Sequence, residues 1–291
     1  MIRIGTRGSA LALAQAAWVA ERLPGETRLV AITTAGDRGA GQNDKSRWVS
    51  ELERALLGDE IDIAVHSAKD VPAELPAGLE LVAVPERADP RDVICGADSL
   101  ESLDSGARVG TTSLRRAAQL RAAREDLEVV PVRGNVDTRL RKLADGEVDA
   151  LVLAAAGLHR LGRDREVGGV LEQLVPAAGQ GALAVEARPG AIDPGQLTAL
   201  TDAEAAACVS AERELVHALG ASCNTPVGAH ARFLGGGELE LVGWVGLPDG
   251  SEWISDRLRG TPHGLGAAAA QRMVSVGARE LLARAEREVR A

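Results

Sequence analysis

Apolar and polar positions follow one rhythm through the first two thirds of the chain: a short apolar run, a turn, then an amphipathic stretch. Ile2 to Gly5 reads as a strand. Ser9 to Leu23 reads as a helix, with Ser9 as its cap and Pro24-Gly25 as its stop. Arg28 to Thr33 is a strand, Val49 to Leu57 a helix followed by Gly58, and Ile61 to Val65 and Leu79 to Val84 are strands. The rhythm repeats with a strand near Val109, a helix from Ser113 to Arg124, a strand from Glu128 to Val132, a helix from Val136 to Ala144 and a continuous apolar strand from Ala150 to Leu153. Alternation of this kind predicts parallel α/β sheets.

The last third changes character. A helix from Asp202 to Leu219 runs into Gly220 and a loop around Cys223. Strands follow at Val227 to Phe233, Leu239 to Val245 and Trp253 to Leu258, parted by Gly235-Gly236-Gly237 and Pro248-Asp249-Gly250. In the second separator, proline presets φ and glycine supplies positive φ. One long helix, from Leu265 to about Val289, is expected to close a small α+β domain. No internal repeat is expected, and no low-complexity tract beyond Ala267 to Ala270.

With 291 residues, two domains are expected and three small ones are possible. Hydrophobic residues at 45% and charged residues at 26% exclude global disorder. No apolar run approaches the roughly 18 residues of a spanning helix. The start, Met1 to Arg7, has no apolar segment behind a charged one, so a cytoplasmic protein without membrane association is expected. A net charge of −9 and an aromatic content of 2% argue against nucleic-acid binding. Three cysteines without a CxxC pair argue against a disulfide framework and against a metal site. Only three of the 33 basic side chains are lysines (Lys45, Lys69 and Lys142), which makes the place of each informative.

Candidate chemistry gathers at strand ends. The strand ending at Val65 runs straight into His66-Ser67-Ala68-Lys69-Asp70, and ligands of open α/β sheets bind beyond the carboxyl ends of strands. Lys69 and Asp70 could equally form a surface ion pair; their position favours a site. His66 reads as a satisfied structural histidine. From Arg108 to Lys142, nine basic and four acidic residues leave a local charge of +5. Within it, Thr111-Thr112-Ser113 opens a helix where backbone N–H groups favour an anion. Arg115 and Arg116 occupy the first turn, where cations oppose the helix dipole, which points to a functional reason for them. Arg133, Asn135 and Arg139 repeat the theme at the next junction, and Arg7 and Ser9 at the first. Arg121, Arg124 and Arg141 read as an exposed helix face. Arginine forks bind carboxylate or phosphate bidentately, so the expected ligand is a small polyanion. Cys95 and Cys208 read as inert core residues. Cys223 lies among small and polar residues, where an unreactive loop thiol and a functional one remain equally open.

Taken together, several segments resemble the porphobilinogen deaminase (hydroxymethylbilane synthase) family over almost the whole chain. They are Arg3 to Ser9, Thr34 to Asp37, Asp62 to Pro72, Asp89 to Asp92, Val109 to Leu120, Arg133 to Asn135, Ala156 to Leu158 with Arg160 to Gly162, Pro176 to Ala182, and Cys223 with Pro226 and Gly228. The resemblance implies an α/β fold of two doubly wound, periplasmic-binding-protein-like domains plus a small C-terminal α+β domain. By position the first domain covers 1–85 and 182–199, the second 90–176 and the third 203–291. It implies a transferase of tetrapyrrole (haem, porphyrin) biosynthesis that condenses four porphobilinogen molecules head to tail, releasing ammonia, to give hydroxymethylbilane. The primer would be a dipyrromethane cofactor joined by a thioether to Cys223. Asp70 would be the catalytic carboxylate. Arg7, Ser9, Lys45, Ser67, Lys69, Thr111, Thr112, Ser113, Arg115, Arg116, Arg133, Asn135, Arg139 and Arg160 would bind cofactor and substrate carboxylates. A monomer with a small-molecule substrate is implied.

Departures from the family pattern lie in two loops. Residues 41–48 lack the usual glycines around Lys45 and place Trp48 where phenylalanine is usual; Ala221-Ser222 precedes Cys223 where Gly-Gly is common. The rival readings are a degenerate, non-catalytic bilobal protein that binds small anions and an enzyme using Lys69 as a Schiff base.

Overall fold

The computed structural model describes residues 1–34, 46–221 and 225–290. The chain forms two compact units, Met1–Ala88 with Gly181–Val209 and Asp89–Gln180 with Ser210–Ala291. It enters its elements in the order β1 (Ile2–Arg7), α1 (Ala10–Ala20), β2 (Thr27–Ile32), α2 (Ser46–Leu57), β3 (Ile63–Ser67) and β4 (Glu80–Ala83). A one-turn 3-10 helix, Ala68–Asp70, follows β3. Next come β5 (Asp92–Cys95), β6 (Arg108–Gly110), α3 (Leu114–Ala123), β7 (Glu128–Val130), α4 (Val136–Ala144), β8 (Ala150–Ala154), α5 (Ala155–Arg160) and β9 (Gly169–Val170). The chain then returns through β10 (Leu183–Ala187), α6 (Pro194–Leu200) and α7 (Ala203–Ala218). It ends with β11 (Val227–Gly235), β12 (Glu238–Gly246), β13 (Trp253–Gly260), α8 (Leu265–Ser275) and α9 (Ala278–Arg290).

Each doubly wound sheet has five strands, ordered β2-β1-β3-β10-β4 and β7-β6-β8-β5-β9. Both carry apolar cores on their two faces. In the first, Ile4, Val19, Ile63 and Val185 pack on one side, and Leu52, Leu56, Ile61 and Ala64 on the other. In the second, Val109, Leu120 and Val152 face one way, and Val93, Cys95, Leu151 and Leu153 the other. The sheets are mixed rather than wholly parallel. β10 runs antiparallel to β3 and β4, and β5 antiparallel to β8 and β9. These are the strands on which the chain arrives in each unit, a long-range step that local periodicity does not encode.

The absence of an internal repeat is corrected at the level of topology. The two strand orders correspond position by position, and a few side chains correspond with them. Arg3-Ile4-Gly5-Thr6 answers Arg108-Val109-Gly110-Thr111. Gly5 and Gly110 are both tight: a Cβ on the first would collide with Ile61, and on the second would come within 2.6 Å of Val132 and 2.7 Å of Leu151. Arg3 donates to Asp62 from its backbone N–H (2.6 Å) and guanidinium (2.6 Å), and Arg108 does the same to Asp149 (2.7 and 3.2 Å). Identity survives where backbones crowd or strands are clamped, which is too sparse to stand out as a repeat.

The third sheet is the antiparallel meander β11-β12-β13. The expected single C-terminal helix is two: Val276 is exposed and Gly277, at φ +100°, turns the chain before α9. A left-handed glycine ends a helix without Cβ strain, and it outweighs a run of alanines. Arg121 and Arg124 are also not a free face. Arg121 donates to Pro248 O (2.7 Å), and Arg124 to Leu100 O (2.7 Å) and Asp126 (2.7 Å). Gly250, at φ +78°, sits so close to α3 that a Cβ would lie 2.5 Å from Ala122 N and 2.8 Å from Ala118 O. Gly250→Ala is therefore expected to lower stability by about 1–3 kcal/mol, read as a drop in midpoint on thermal unfolding; an unchanged midpoint would refute this packing.

Candidate active site

In the first unit the carboxyl ends of β1 and β3 lie side by side, since Gly5 pairs with Ala64 in a parallel ladder. Arg7 ends β1. Ser9 caps α1, accepting from Ala12 N at 3.3 Å, which leaves its hydroxyl proton to donate. Ser67 ends β3 and accepts from Gln15 Nε2 at 2.8 Å, tying the strand end to α1. Lys69 and Asp70 follow in the 3-10 turn, half-buried, with Ala68 N bonded to Ala182 O at 3.0 Å. The Asp70 carboxylate makes no hydrogen bond or ion pair with the described residues, so no Lys69–Asp70 pair forms between these neighbours.

The second unit gathers more. β7, β6 and β8 are neighbours, and each ends at a helix start. Ser113 caps α3, and Thr111 Oγ1 accepts from Ser113 N at 3.2 Å. Thr112 is exposed. Asn135 caps α4 by accepting from Thr138 N at 2.9 Å, leaving its amide N–H groups to donate; Arg133 beside it is exposed. Arg139 donates to Gly134 O at 2.8 Å. Arg160 closes α5. The caps expected as ligand contacts thus also hold the helix starts in place.

Arg115 and Arg116 are buried rather than open to a crevice. Both reach back to Asp92, at the start of β5. Asp92 accepts from Arg115 Nη1 (2.7 Å), Arg116 Nε (2.9 Å) and Gln180 Nε2 (2.8 Å). This ion pairing answers the first-turn conflict within the protein: the cations leave the helix dipole for a buried carboxylate. Part of their charge is thus used within the protein. Arg116 is committed, with Nη1 also on Val152 O at 3.0 Å. Arg115 donates from Nη1 to Val175 O as well, but its buried Nε has no hydrogen-bond partner among the described residues.

The electrostatics point the same way. Burial raises a carboxyl, yet Coulomb attraction from Arg115 and then Arg116 holds Asp92 far below the usual carboxylate range. Burial pushes Arg115 down. Burial, then the charge of Arg116, pushes Arg139 down, and burial alone takes Arg160 to about 10. One carboxylate thus serves two arginines, and the half-buried Arg139 and Arg160 are held below their ordinary affinity for a proton.

Asp92 and Gln180 are the positioning groups that sequence reasoning missed. Both lie in segments already singled out, but nothing local says that Asp92 meets arginines 23 and 24 residues away. His66, read as structural, is so: its Nε2 lies 3.0 Å from Glu186 Oε2 in the core. Cys95 and Cys208 are buried and form no disulfide among the described residues, and burial pushes Cys95 up to about 11. Lys45 and Cys223 lie outside the described residues, as does Ser222. The loop read as 41–48 is shorter at its end, because Ser46 already begins α2.

Two mixed sheets of one topology, with arginine, lysine and hydroxyl groups at their strand ends, define an α/β protein with a small three-stranded α+β addition. A family model described as "Porphobilinogen deaminase, dipyromethane cofactor binding domain" matches residues 2–193, and one for the porphobilinogen deaminase C-terminal domain matches 206–275. A porphobilinogen deaminase of Deinococcus deserti is 46% identical, over 97% of this chain and 97% of its own. One of Roseiflexus sp. is 48% identical over 96% and 98%. A periplasmic substrate-binding protein from Coxiella burnetii is similar in structure at 13% identity and TM-score 0.42, over 73% of this chain and 97% of that one. The chain belongs to the porphobilinogen deaminase family.

Asp92→Asn would leave two buried guanidinium groups short of their counter-charge, at a cost of about 3–5 kcal/mol. Because the Asp92 carboxyl is depressed in the fold, its stabilisation is present above the unfolded value of roughly 4 and is lost as pH falls toward the folded one. Urea unfolding should show wild type ahead of the variant at neutral pH, with the gap narrowing in acid. A gap that does not depend on pH would contradict the pairing.

Proposed function

We propose that this chain is a hydroxymethylbilane synthase, joining four porphobilinogen molecules head to tail with loss of ammonia, on a dipyrromethane primer held as a thioether by Cys223. Family membership supports the reaction. The observation that supports the site is a surplus of positive charge at the start of α3, where two buried arginines share one carboxylate and Arg115 Nε has no hydrogen-bond partner among the described residues. Pyrroles bearing acetate and propionate groups suit such a surplus, so the residues present fit the cofactor.

In this reading Arg115, Arg133, Arg139 and Arg160 hold carboxylates of cofactor and substrate, with Thr111, Thr112, Ser113 and Asn135 donating hydrogen bonds. Arg116 contributes charge and holds Asp92. Arg7, Ser9, Ser67 and Lys69 are the corresponding contacts in the first unit, and Lys45 belongs to the same set. When bound, the cofactor supplies a nucleophilic pyrrole carbon to which substrate is joined. Asp70 is the catalytic group. Loss of ammonia leaves positive charge that spreads to a pyrrole nitrogen, and a carboxylate with no partner among the described residues is suited to stabilise it and to take a proton.

We take the working division as three domains: 1–85 with 182–199, 90–176 and 203–291. The protein acts as a cytoplasmic monomer on a small-molecule substrate, without a nucleic-acid partner. A non-catalytic anion binder has no use for an unpaired Asp70.

Asp70→Asn is expected to keep the fold and lower turnover by a factor on the order of a hundred or more, as loss of one electrostatic group does; near-normal turnover would remove the role. Intact mass under denaturing conditions tests the attachment. Wild type should exceed its sequence mass by a two-pyrrole adduct that Cys223→Ser lacks. Wild type that stays unmodified after incubation with porphobilinogen would overturn the covalent reading.

A further inference from the structure

The core of the first unit holds three ionisable side chains that this chemistry does not use. His66 on β3 and Glu186 on β10 are buried, with His66 Nε2 3.0 Å from Glu186 Oε2, while Glu186 Oε1 has no hydrogen-bond partner among the described residues. Glu53 on α2 is buried with them. Burial first, then the charge of Glu186, pushes the Glu53 carboxyl upward, and His66 opposes this. In the adjoining strands the ladder places Gly5 and Leu81 beside this group, neither of them titratable.

The second unit shows what the same framework does without them. Matching Asp62 to Asp149 sets Glu53 against Leu140 and His66 against Leu153. Glu186 opposes Ala64, and Cys95 opposes Leu151, the equivalent of Ala64. Leu140, Leu153 and Cys95 belong to one apolar cluster. The topology therefore packs with apolar residues here, and replacing a buried ion pair by such residues is often neutral or stabilising. Stability does not account for the polar trio. A second difference accompanies it: the strand end above carries Lys69-Asp70 in the first unit and Ala156-Gly157 in the second.

We propose that Glu53, His66 and Glu186 are positioning residues for Asp70. The His66–Glu186 hydrogen bond crosslinks β3 to β10 just before the Ala68–Asp70 turn, and so fixes where that turn holds its carboxylate. The backbone ladder sets the register of β3 on β10; the side-chain bond adds a directional tie beside the turn that apolar contact does not supply. This rests on the catalytic reading of Asp70.

The test is the apolar triple variant E53L/H66L/E186M beside the double variant H66Q/E186Q, which keeps a neutral hydrogen bond at the same place. Each is compared with wild type and with Asp70→Asn by steady-state kinetics and by thermal unfolding from pH 5 to 8. The triple variant should fold and lose the pH dependence contributed by Glu53. That contribution favours wild type while Glu53 is protonated and fades as pH rises through its raised value. Its kcat should fall about tenfold to a hundredfold, as for a misplaced catalytic group, with KM within about threefold. The double variant should keep kcat within about threefold of wild type. A folded triple variant with wild-type kcat overturns the proposal, and so does a folded double variant as slow as the triple. If the triple does not fold, H66L takes its place: a kcat down about tenfold or more in H66L but within about threefold in the double variant supports positioning by the hydrogen bond, and a folded H66L with wild-type kcat rejects it. Normal turnover in Asp70→Asn would instead remove the catalytic reading itself.

Discussion

The carboxylate of Asp92 sits buried between two guanidinium groups, and the candidate site of the second unit depends on it. Without that charge, neither Arg115 nor Arg116 could remain in the core at the start of α3, because an isolated buried cation costs far more than a helix terminus returns. With it, one arginine is fully committed and the other keeps an unused donor. The pairing neutralises one of the two buried cations and leaves Arg115 Nε without a hydrogen-bond partner among the described residues.

The same principle operates at a simpler level in the Arg3–Asp62 and Arg108–Asp149 clamps. Each ties the start of one parallel strand to the residue before its neighbour, and so fixes the register from which the strand ends project. Ser9, Ser113 and Asn135 then fix where each helix begins. Their donors are left over because capping uses only the acceptor. In the proposed site, folding and binding use different atoms of these side chains.

The two doubly wound units differ in instructive ways. One has an apolar core under a plain strand end; the other has a buried Glu–His–Glu set under the strand end bearing Lys69 and Asp70. Placing ionisable groups in a core is costly unless something is gained in specificity. Comparing two halves of one chain isolates that difference, since topology and clamps are common to both.

Much of this was legible in the sequence. Strand–helix alternation is local physics, and so most elements, the Ser9 cap and the Gly58 stop followed from periodicity and turn chemistry alone. The ordered motifs from Arg3 to Gly228 carried the family, while the anion site read from strand ends rich in Arg, Lys and hydroxyl groups belongs to the proposed function. Tertiary structure alone decided three things. The direction of β5 and β10 depends on how the chain passes between units, which no local window contains. The break at Gly277 turned on one residue's φ against a favourable helical run. The partners of buried charges, Asp92 with Arg115 and Arg116 and His66 with Glu186, lie tens of residues apart; their pairing is set by which strands become neighbours, and only the folded sheet brings them within a hydrogen bond.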